Sequence, residues 1–583
     1  MIGFLFALLA VFTLSPNKAS VYDISNENWH LQSEAYMTVK DGKKLSSRKF
    51  DDYDWMKISF PSTVVAAFVE AGECAEPVAG EEDFLAIPRH LVRGNFWYRS
   101  EFAVPAQAIK EHTFLNLSGV NGEAEVWLNG QFVGNVPDSL HRARFDVTGI
   151  VKGKNALAIK VKADSDKAGL CSEVYFSFTG DVSLGEPFVV TTLNLPDTTE
   201  ARIKVGAEVT NHGKSRKRVI LSGKYGWMPF EVTRYLNPGQ SEVFSTTLEM
   251  ENPRLWWSNA LGEQHLYDVE MKLYAGHDES DKTFFRSAVR DISVEGDSLF
   301  VNGVYAPLHG TCAPGGLDRF DRVSSKELKA IARYCKDLNF NVFATTEEDT
   351  RRLSSYADEY GFVLLDSNSA PALDFDYGEL SVSREPASDF YACKRANESV
   401  HVQYVDGKVE VVNRTLHDLN GVKVGAQWFD INGRSLSEQV AVINVKSGSV
   451  SQAFAFEKPC EGVGYLELAI YSGEDLLSEN FHIEGSVPED YPKATLRVGG
   501  EVNSTQDGWS ITYLIENLGD VPALMLCARV DDPDGEAVLP VFWSDNYISL
   551  LPGEKKVLTA EVDKADCPHI PQVSITGFNL LNS

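Results

Sequence analysis

The chain has 583 residues, 43% of them apolar, and a formal net charge of −29 at pH 7. That length suits four or five domains of ordinary size, and that much apolar content excludes a disordered or low-complexity protein. A charge this negative, with no basic cluster, excludes a nucleic-acid partner, because phosphate contacts need Lys and Arg gathered on one face.

Phe4 to Leu14 is apolar apart from Thr13 and is too short to span a bilayer. Ser15, Pro16 and a small-residue exit near Ala19 follow it. Residues 1–20 are therefore expected to be a signal peptide that sends the chain into the secretory or lysosomal pathway. No other stretch approaches the length of a membrane span. Four N-x-S/T sequons fit that route, making Asn116, Asn397, Asn413 and Asn503 candidate glycosylation sites. The eight cysteines are dispersed, without C-x-x-C or metal-like spacing. A few disulfides are compatible with an oxidising compartment, and their pairing stays open.

From Val21 to about Leu184, short alternating strands punctuated by Gly, Asn and Asp predict a β-sandwich. Alternation through Glu123, Glu125 and Trp127 leads into Asn129-Gly130, and an Asn-Gly between alternating runs is the strongest short hairpin signal. Ala156 to Ile159 reads as a buried strand, and Asp166 to Cys171 as a loop with no nucleophile constellation nearby. A second β-rich unit of immunoglobulin size runs from Pro187 to about Phe285, with strands over Ala201 to Val209 and Arg218 to Ser222.

The periodicity then changes. Ser293 to Gly310 predicts a hairpin plus a strand. Ser324 to Leu338 predicts an amphipathic helix, with Leu328, Ile331, Cys335 and Leu338 on one stripe and Ser324 and Glu327 at capping-box spacing. Asn341 to Ala344 predicts a strand. Asp349 to Tyr360 predicts a second helix, with Leu353, Tyr356, Ala357 and Tyr360 inward and Gly361 as its stop. Phe362 to Leu365 predicts a third strand, and strands alternating with helices mean a parallel sheet. After Asp366 the pattern dissolves until a short helix-like piece, Asp389 to Ala396. From Val400 alternating strands return for two sandwich-sized units, one to about Gly485 and one from Lys493 onward.

Several stretches together carry a family resemblance: FPSTVVAAFVEAGE (Phe60 to Glu73), NFWYRSEF (Asn95 to Phe102), LWWSNALGEQHLYDV (Leu255 to Val269), YADEYGFVLL (Tyr356 to Leu365), DFYACKRANESVHVQY (Asp389 to Tyr404) and PVFWSDNYISLLPGEKK (Pro540 to Lys556). In this order the chain resembles glycoside hydrolase family 2, in the branch of β-mannosidases, exo-β-glucosaminidases and endo-β-mannosidases. The resemblance implies a mostly β, multi-domain fold. Its parts are a jelly-roll sugar-binding-like sandwich over residues 21–186, an immunoglobulin-like sandwich over 187–290, an incomplete (β/α)8 barrel over 291–398, and immunoglobulin-like sandwiches over 399–486 and 487–583.

Catalysis in that family implies one carboxyl that protonates the leaving oxygen and a second, about 5 Å away, that attacks the anomeric carbon. The acid/base follows barrel strand four and the nucleophile strand seven. A complete barrel needs roughly 250 residues, and the middle region stops after three strands. No position aligns with either carboxylate, so no catalytic residue can be assigned. Asn26-Glu27 and Asn397-Glu398 do not substitute, lying in the first sandwich and beyond the last barrel helix. Where the family carries Arg and Trp after the second strand, this chain has Ala344 and Thr345. In place of a Trp-Gln-Glu/Asp-Phe run it has Leu365, Asp366, Ser367 and Asn368.

Acidic residues still cluster past the strand ends: Glu347, Glu348, Asp349, Asp366, Asp374, Asp376 and Glu379. The first three fall in the first turn of a helix, where negative charge favours the dipole, and the rest in a polar loop. His309 and Cys312 lack a third metal ligand. Trp97, Trp127, Trp256 and Trp257 read as core in preference to sugar platforms. No cofactor or metal is called for. The favoured expectation is a catalytically silent family member with a β-linked glycan as its candidate partner. The alternatives are a splice form or partial gene model of an active retaining exo-β-glycosidase, and a protein-interaction scaffold. The three barrel strands leave unpaired edges, so the region must refold as a small βαβαβ layer, be covered by a partner, or be incomplete.

Overall fold

A computed structural model describes residues 21–73, 93–137, 142–165, 168–296, 298–312, 325–345, 347–366, 385–459 and 461–580. The expected signal peptide, Ser324, Asp166 and the acidic Asp374, Asp376 and Glu379 lie outside them. The chain divides into two compact units: residues 1–257 with 263–329 and 342–373, and residues 258–262 with 330–341 and 374–583. Strands dominate both, which bears out the mostly β, multi-domain reading.

In the first unit, a six-stranded sheet faces a four-stranded one across Trp29, Tyr98, Leu115, Val126, Ile159 and Phe176. The Asn129-Gly130 turn joins Glu123–Leu128 to Gln131–Val136 with φ of 51° and 80°, the two positive values that a type I′ hairpin turn requires. Ala124, Val126 and Leu128 point into the core. Glu125 and Glu123 point outward and meet Lys160 and Lys162 of the neighbouring strand, directly opposite in register. The stretch read as a loop over Asp166 to Cys171 contains a two-residue strand, Gly169–Leu170, between Ser62–Thr63 and Val120–Asn121. A Cβ on Gly169 would lie 2.5 Å from Thr63 Cα, so glycine's missing side chain is what admits this strand. The second sandwich packs Val182–Asn194, Asp197–Asn211 and Ser241–Glu251 against Met228–Leu236, Lys217–Tyr225, Leu266–Ala275 and Asp278–Ala288.

The second unit holds two more sandwiches. In one, Val400–Val405, Lys408–Asn413 and Ser449–Ala455 face Ser435–Val445, Leu419–Asp430, Gly464–Ser472 and Asp475–Glu484. In the other, Leu496–Ser504, Gly508–Asn517, Lys555–Asp563 and Phe542–Trp543 face Ile548–Leu550, Ala523–Asp531 and Gln572–Thr576.

Three of these sandwiches share an internal device. A strand ends in a buried Asn: Asn211, Asn413 or Asn517. Each side-chain oxygen accepts the backbone N–H two residues on, from Gly213 (2.9 Å), Thr415 (3.0 Å) or Gly519 (3.0 Å). Each amide nitrogen donates to the carbonyl four residues on, Ser215, His417 or Val521. It also donates to the last residue of a strand in the facing sheet, Leu236, Val445 or Leu550. One side chain therefore closes a turn and ties the two sheets together. Replacing Asn517 with Ala orphans the carbonyls of Val521 and Leu550. The expected loss is about 2–4 kcal/mol in urea unfolding of the full chain, against under about 0.5 kcal/mol for exposed Asn503→Ala.

Candidate functional site

Three short strands, Gly310–Cys312, Val342–Thr345 and Val363–Asp366, pair in parallel and in chain order, with Gly310 opposite Val342 and Thr345 opposite Asp366. A Cβ on Gly310 would stand 2.0 Å from Val342 O, so the first pairing requires glycine. Helices Ser325–Asp337 and Glu347–Tyr360 form the two crossovers. The predicted stripe of Leu328, Ile331, Cys335 and Leu338 is buried, as are Leu353, Ala357 and Tyr360. Gly361 stops the second helix at φ 87°, donating to Ala357 O at 2.9 Å. The three strands thus form a parallel sheet, and among the described residues no fourth strand joins it.

In the first unit the layer is anchored by a buried ion pair. Arg290 Nη2 lies 2.7 Å from Asp358 Oδ1, with both side chains under a tenth exposed. The guanidinium stacks over Trp256, 4.3 Å from the ring centroid. Trp256 is fully buried, its Nε1–H donates to Asp358 O at 2.8 Å, and its own carbonyl accepts from Asn302 at 2.9 Å. Burial pushes the Asp358 carboxyl up, and Arg290 opposes that shift. In the second unit, Tyr334 of the first helix caps the peptide of Val541. Its hydroxyl donates to Val541 O at 3.1 Å and accepts Val541 N–H at 3.2 Å. Arg333 lies 4.0 Å over the Phe542 ring, and Lys394 links Asp337 to the Trp543 carbonyl.

The strand C-termini, where barrel enzymes place their chemistry, end here at Cys312, Thr345 and Asp366. Glu347, Glu348 and Asp349 occupy the first turn of their helix. His309 contributes its carbonyl to Val342 N–H at 3.3 Å. Among the described residues, no group of His, Cys, Asp or Glu could hold a metal ion. Trp97 and Trp256 are buried, and Trp127 is wedged against Gly42, whose absent Cβ would fall 2.5 Å from the indole. Trp97 and Trp256 are therefore core, whereas Trp127 and Trp257 are half-buried.

A carboxyl pair in hydrogen-bond contact does occur, but elsewhere. Glu467 of strand Gly464–Ser472 meets Glu554, whose carboxylate also accepts Leu551 N–H at 2.7 Å. Burial, then Glu554 and Glu479, push Glu467 up to about 8. The neighbouring Lys556 is engaged by Glu479 and Asp545 at 2.8 Å each. The pair flanks an apolar cluster of Phe429, Tyr465, Tyr491, Leu524 and Leu551, where the two sandwiches of the second unit meet.

The sequons sit in contrasting places. Asn116 is buried and donates to Phe114 O and Ser177 Oγ, while Asn413 spends its amide on His417, Val445 and Lys446 carbonyls. A glycan on either nitrogen would break those bonds. Asn397 has a buried amide nitrogen and caps helix Ser388–Ala396; Asn503 is exposed. Among the described cysteines, Cys335, Cys393, Cys527 and Cys567 are free thiols.

Residues 18–174 match the galactose-binding domain-like family of glycosyl hydrolase 2, residues 184–290 match glycosyl hydrolases family 2, and residues 489–580 match the exo-β-D-glucosaminidase Ig-fold domain. An exo-β-D-glucosaminidase of Streptomyces avermitilis is 25% identical over 376 residues, covering 58% of this chain and 40% of that protein. The chain thus spans about two fifths of that relative's length. The exo-chitosanase of Amycolatopsis orientalis superposes with a TM-score of 0.73 at 17% identity, over 96% of this chain and 99% of that one. The β-D-mannosidase of Dictyoglomus thermophilum superposes at 0.63 and 13% identity, over 96% and 99%. At these identities both likenesses describe fold alone.

Asp358→Ala leaves Arg290 charged and buried without a counter-ion; the expected loss is about 3–5 kcal/mol in chemical unfolding, with Asp358→Asn costing less. Glu467 gives a pH signature. Its folded pKa is raised above the unfolded value, so the folded state holds the proton that the unfolded state releases, and stability falls as pH rises from about 4.5 through about 8. Thermal melts of wild type minus Glu467→Gln should show that slope, and an unchanged slope in the variant would refute it.

Proposed function

Because the chain belongs to glycoside hydrolase family 2, in its exo-β-glucosaminidase and β-mannosidase branch, we propose that it is a secreted, catalytically silent relative. Its retained work is weak binding of β-linked glycan or scaffolding by its sandwiches. One observation carries the reading. Only residues 367–387 separate the third parallel strand from helix Ser388–Ala396, whereas the five further strand–helix repeats of a closed barrel need about 150 residues. A glycosidase of the retaining kind must hold an acid and a nucleophile on opposite sides of one bond, and both come from the part that is short. The carboxyl pair at Glu467 and Glu554 does not replace them. Its members touch each other, which leaves no room for a sugar between, and it belongs to a sandwich junction.

A second reading is favoured by the family matches on both sides of the short region. There the parent locus encodes an active retaining exo-β-glycosidase, and this chain is a splice form or partial gene model. Sequencing the transcript across Leu365 to Ser388 separates the two, since a full barrel requires well over 100 further codons at that point.

Purified protein should release no aryl group from β-mannoside, β-glucosaminide or β-galactoside substrates above the buffer rate. Turnover at typical enzymic rates, about 1 per second or more, would overturn the silent reading. Secretion supports glycan attachment at Asn503 in preference to Asn116 and Asn413. The intact mass from a secreting eukaryotic host should fall by one glycan in Asn503→Gln and stay unchanged in Asn116→Gln.

A further inference from the structure

Strand edges in this protein are mostly guarded by charge or proline. Met228–Leu236 carries Pro229, Glu231 and Arg234; Asp278–Ala288 carries Asp278, Glu279, Asp281, Lys282 and Arg286. Leu496–Ser504 has Arg497, Glu501 and two glycines, and Asp475–Glu484 has three acids. Such residues keep an unpaired row of N–H and C=O groups from recruiting another strand.

Ser435–Val445 departs from that pattern. This 11-residue strand is the edge of its four-stranded sheet, pairs only with Leu419–Asp430 among the described residues, and has a single charge, Glu438. It has no proline, lysine or arginine, and its pairing is unbroken by a bulge from Val422–Ile443 to Trp428–Ser437. The adjacent edge of the facing sheet, Ser449–Ala455, carries no charge at all and exposes Val450.

The outer face beside this edge is apolar as well. Val440 is 44% exposed and Val442 69% exposed. Val442 pairs with Lys423, which pairs on its other side with Tyr471, which in turn pairs with the exposed Leu476. Val440 lies opposite Gly425, above which nothing comes within 4 Å of a would-be Cβ. An exposed stripe therefore crosses the sheet and ends on the unguarded edge.

We propose that this edge is a self-association surface, on which the Ser435–Val445 strand of a second copy adds antiparallel to extend the sheet. Only a strand satisfies an edge's alternating donors and acceptors, which sets the partner's form. Charge sets its identity and register. Two copies of a chain of net charge −29 repel one another, and along this edge a single charge, Glu438, adds to that repulsion. With the two-fold axis at Ala441, Val440 faces Val442 of the second copy and Glu438 faces Asn444 of the second copy. No like charges oppose, and each pair recurs by symmetry. Asn444 Oδ1 already accepts Gly421 N–H at 2.7 Å, which directs its Nδ2 donors to the opposing Glu438.

Sedimentation equilibrium of the full chain tests this. Wild type should dimerise at micromolar concentration and more tightly as salt rises, and Val440→Lys with Val442→Lys should be monomeric. Asn444→Asp sets a carboxylate against Glu438 twice per dimer and should weaken association about tenfold. Adding Glu438→Lys to it should restore the dimer by opposing Lys to Asp. That swap lies on the exposed face and keeps the test valid should the double lysine variant misfold. A wild type that stays monomeric, a dimer indifferent to the lysines, or a swap that fails to rescue overturns the proposal.

Discussion

The buried ion pair of Arg290 and Asp358, with Trp256 stacked against the guanidinium, is the constraint on which the middle of this protein depends. A charge withdrawn from water is tolerated only when a counter-charge meets it in good geometry. Here the counter-charge comes from a helix more than sixty positions along the chain, and the same helix gives a carbonyl to the Trp256 indole. Removing either ion strands the other, so the helix Glu347–Tyr360 has one seat on the second sandwich. A three-stranded parallel layer with unpaired edges has little cooperativity of its own. Fixing its crossover helix from outside is what lets so small a fragment keep a defined register.

The ion pair also shows how the three-stranded layer keeps its form through packing alone. The positions that answer to packing are intact: the Leu353, Ala357 and Tyr360 stripe, the Gly361 stop, and the Gly310 close approach. The positions where the family resemblance implies sugar contacts hold Ala344 and Thr345 in place of Arg and Trp, and Leu365, Asp366, Ser367 and Asn368 in place of a Trp-Gln-Glu/Asp-Phe run. Packing and chemistry place separate demands on the same strands.

Much of this was legible in the sequence. Hydrophobic period marked the helices Ser325–Asp337, Glu347–Tyr360 and Ser388–Ala396 and the second and third parallel strands to within two residues, because amphipathic spacing reports which face is buried. The short helices Gly42–Leu45 and Val64–Glu70 of the first sandwich carry no such period and were not marked. The Asn-Gly hairpin was legible because its backbone angles leave few other choices of residue. Less visible were side chains that act across sequence. Asp358 follows Ala357 by one residue, roughly 100° round the helix and off the apolar stripe, so the period gives no sign that it is buried and nothing local names Arg290. The two-residue strand at Gly169 is not legible in the sequence because its pairing rests on a steric allowance, not on a periodic pattern.

The three asparagine clamps show how a residue that satisfies a modification motif can also meet a packing requirement of the fold. Asn413-Arg414-Thr415 satisfies a glycosylation sequon, but Asn211-His212-Gly213 and Asn517-Leu518-Gly519 end their strands in the same way without one. What the three share is a fold requirement: an amide that can accept at position two, donate at position four and reach the facing sheet. Threonine at position 415 strengthens the turn by donating its hydroxyl to Asn413 Oδ1 at 2.7 Å, so the sequon's third residue has a structural reason to be there. Recurrence at equivalent strand ends, set against a consensus present in only one of them, is the stronger guide to what the residue does.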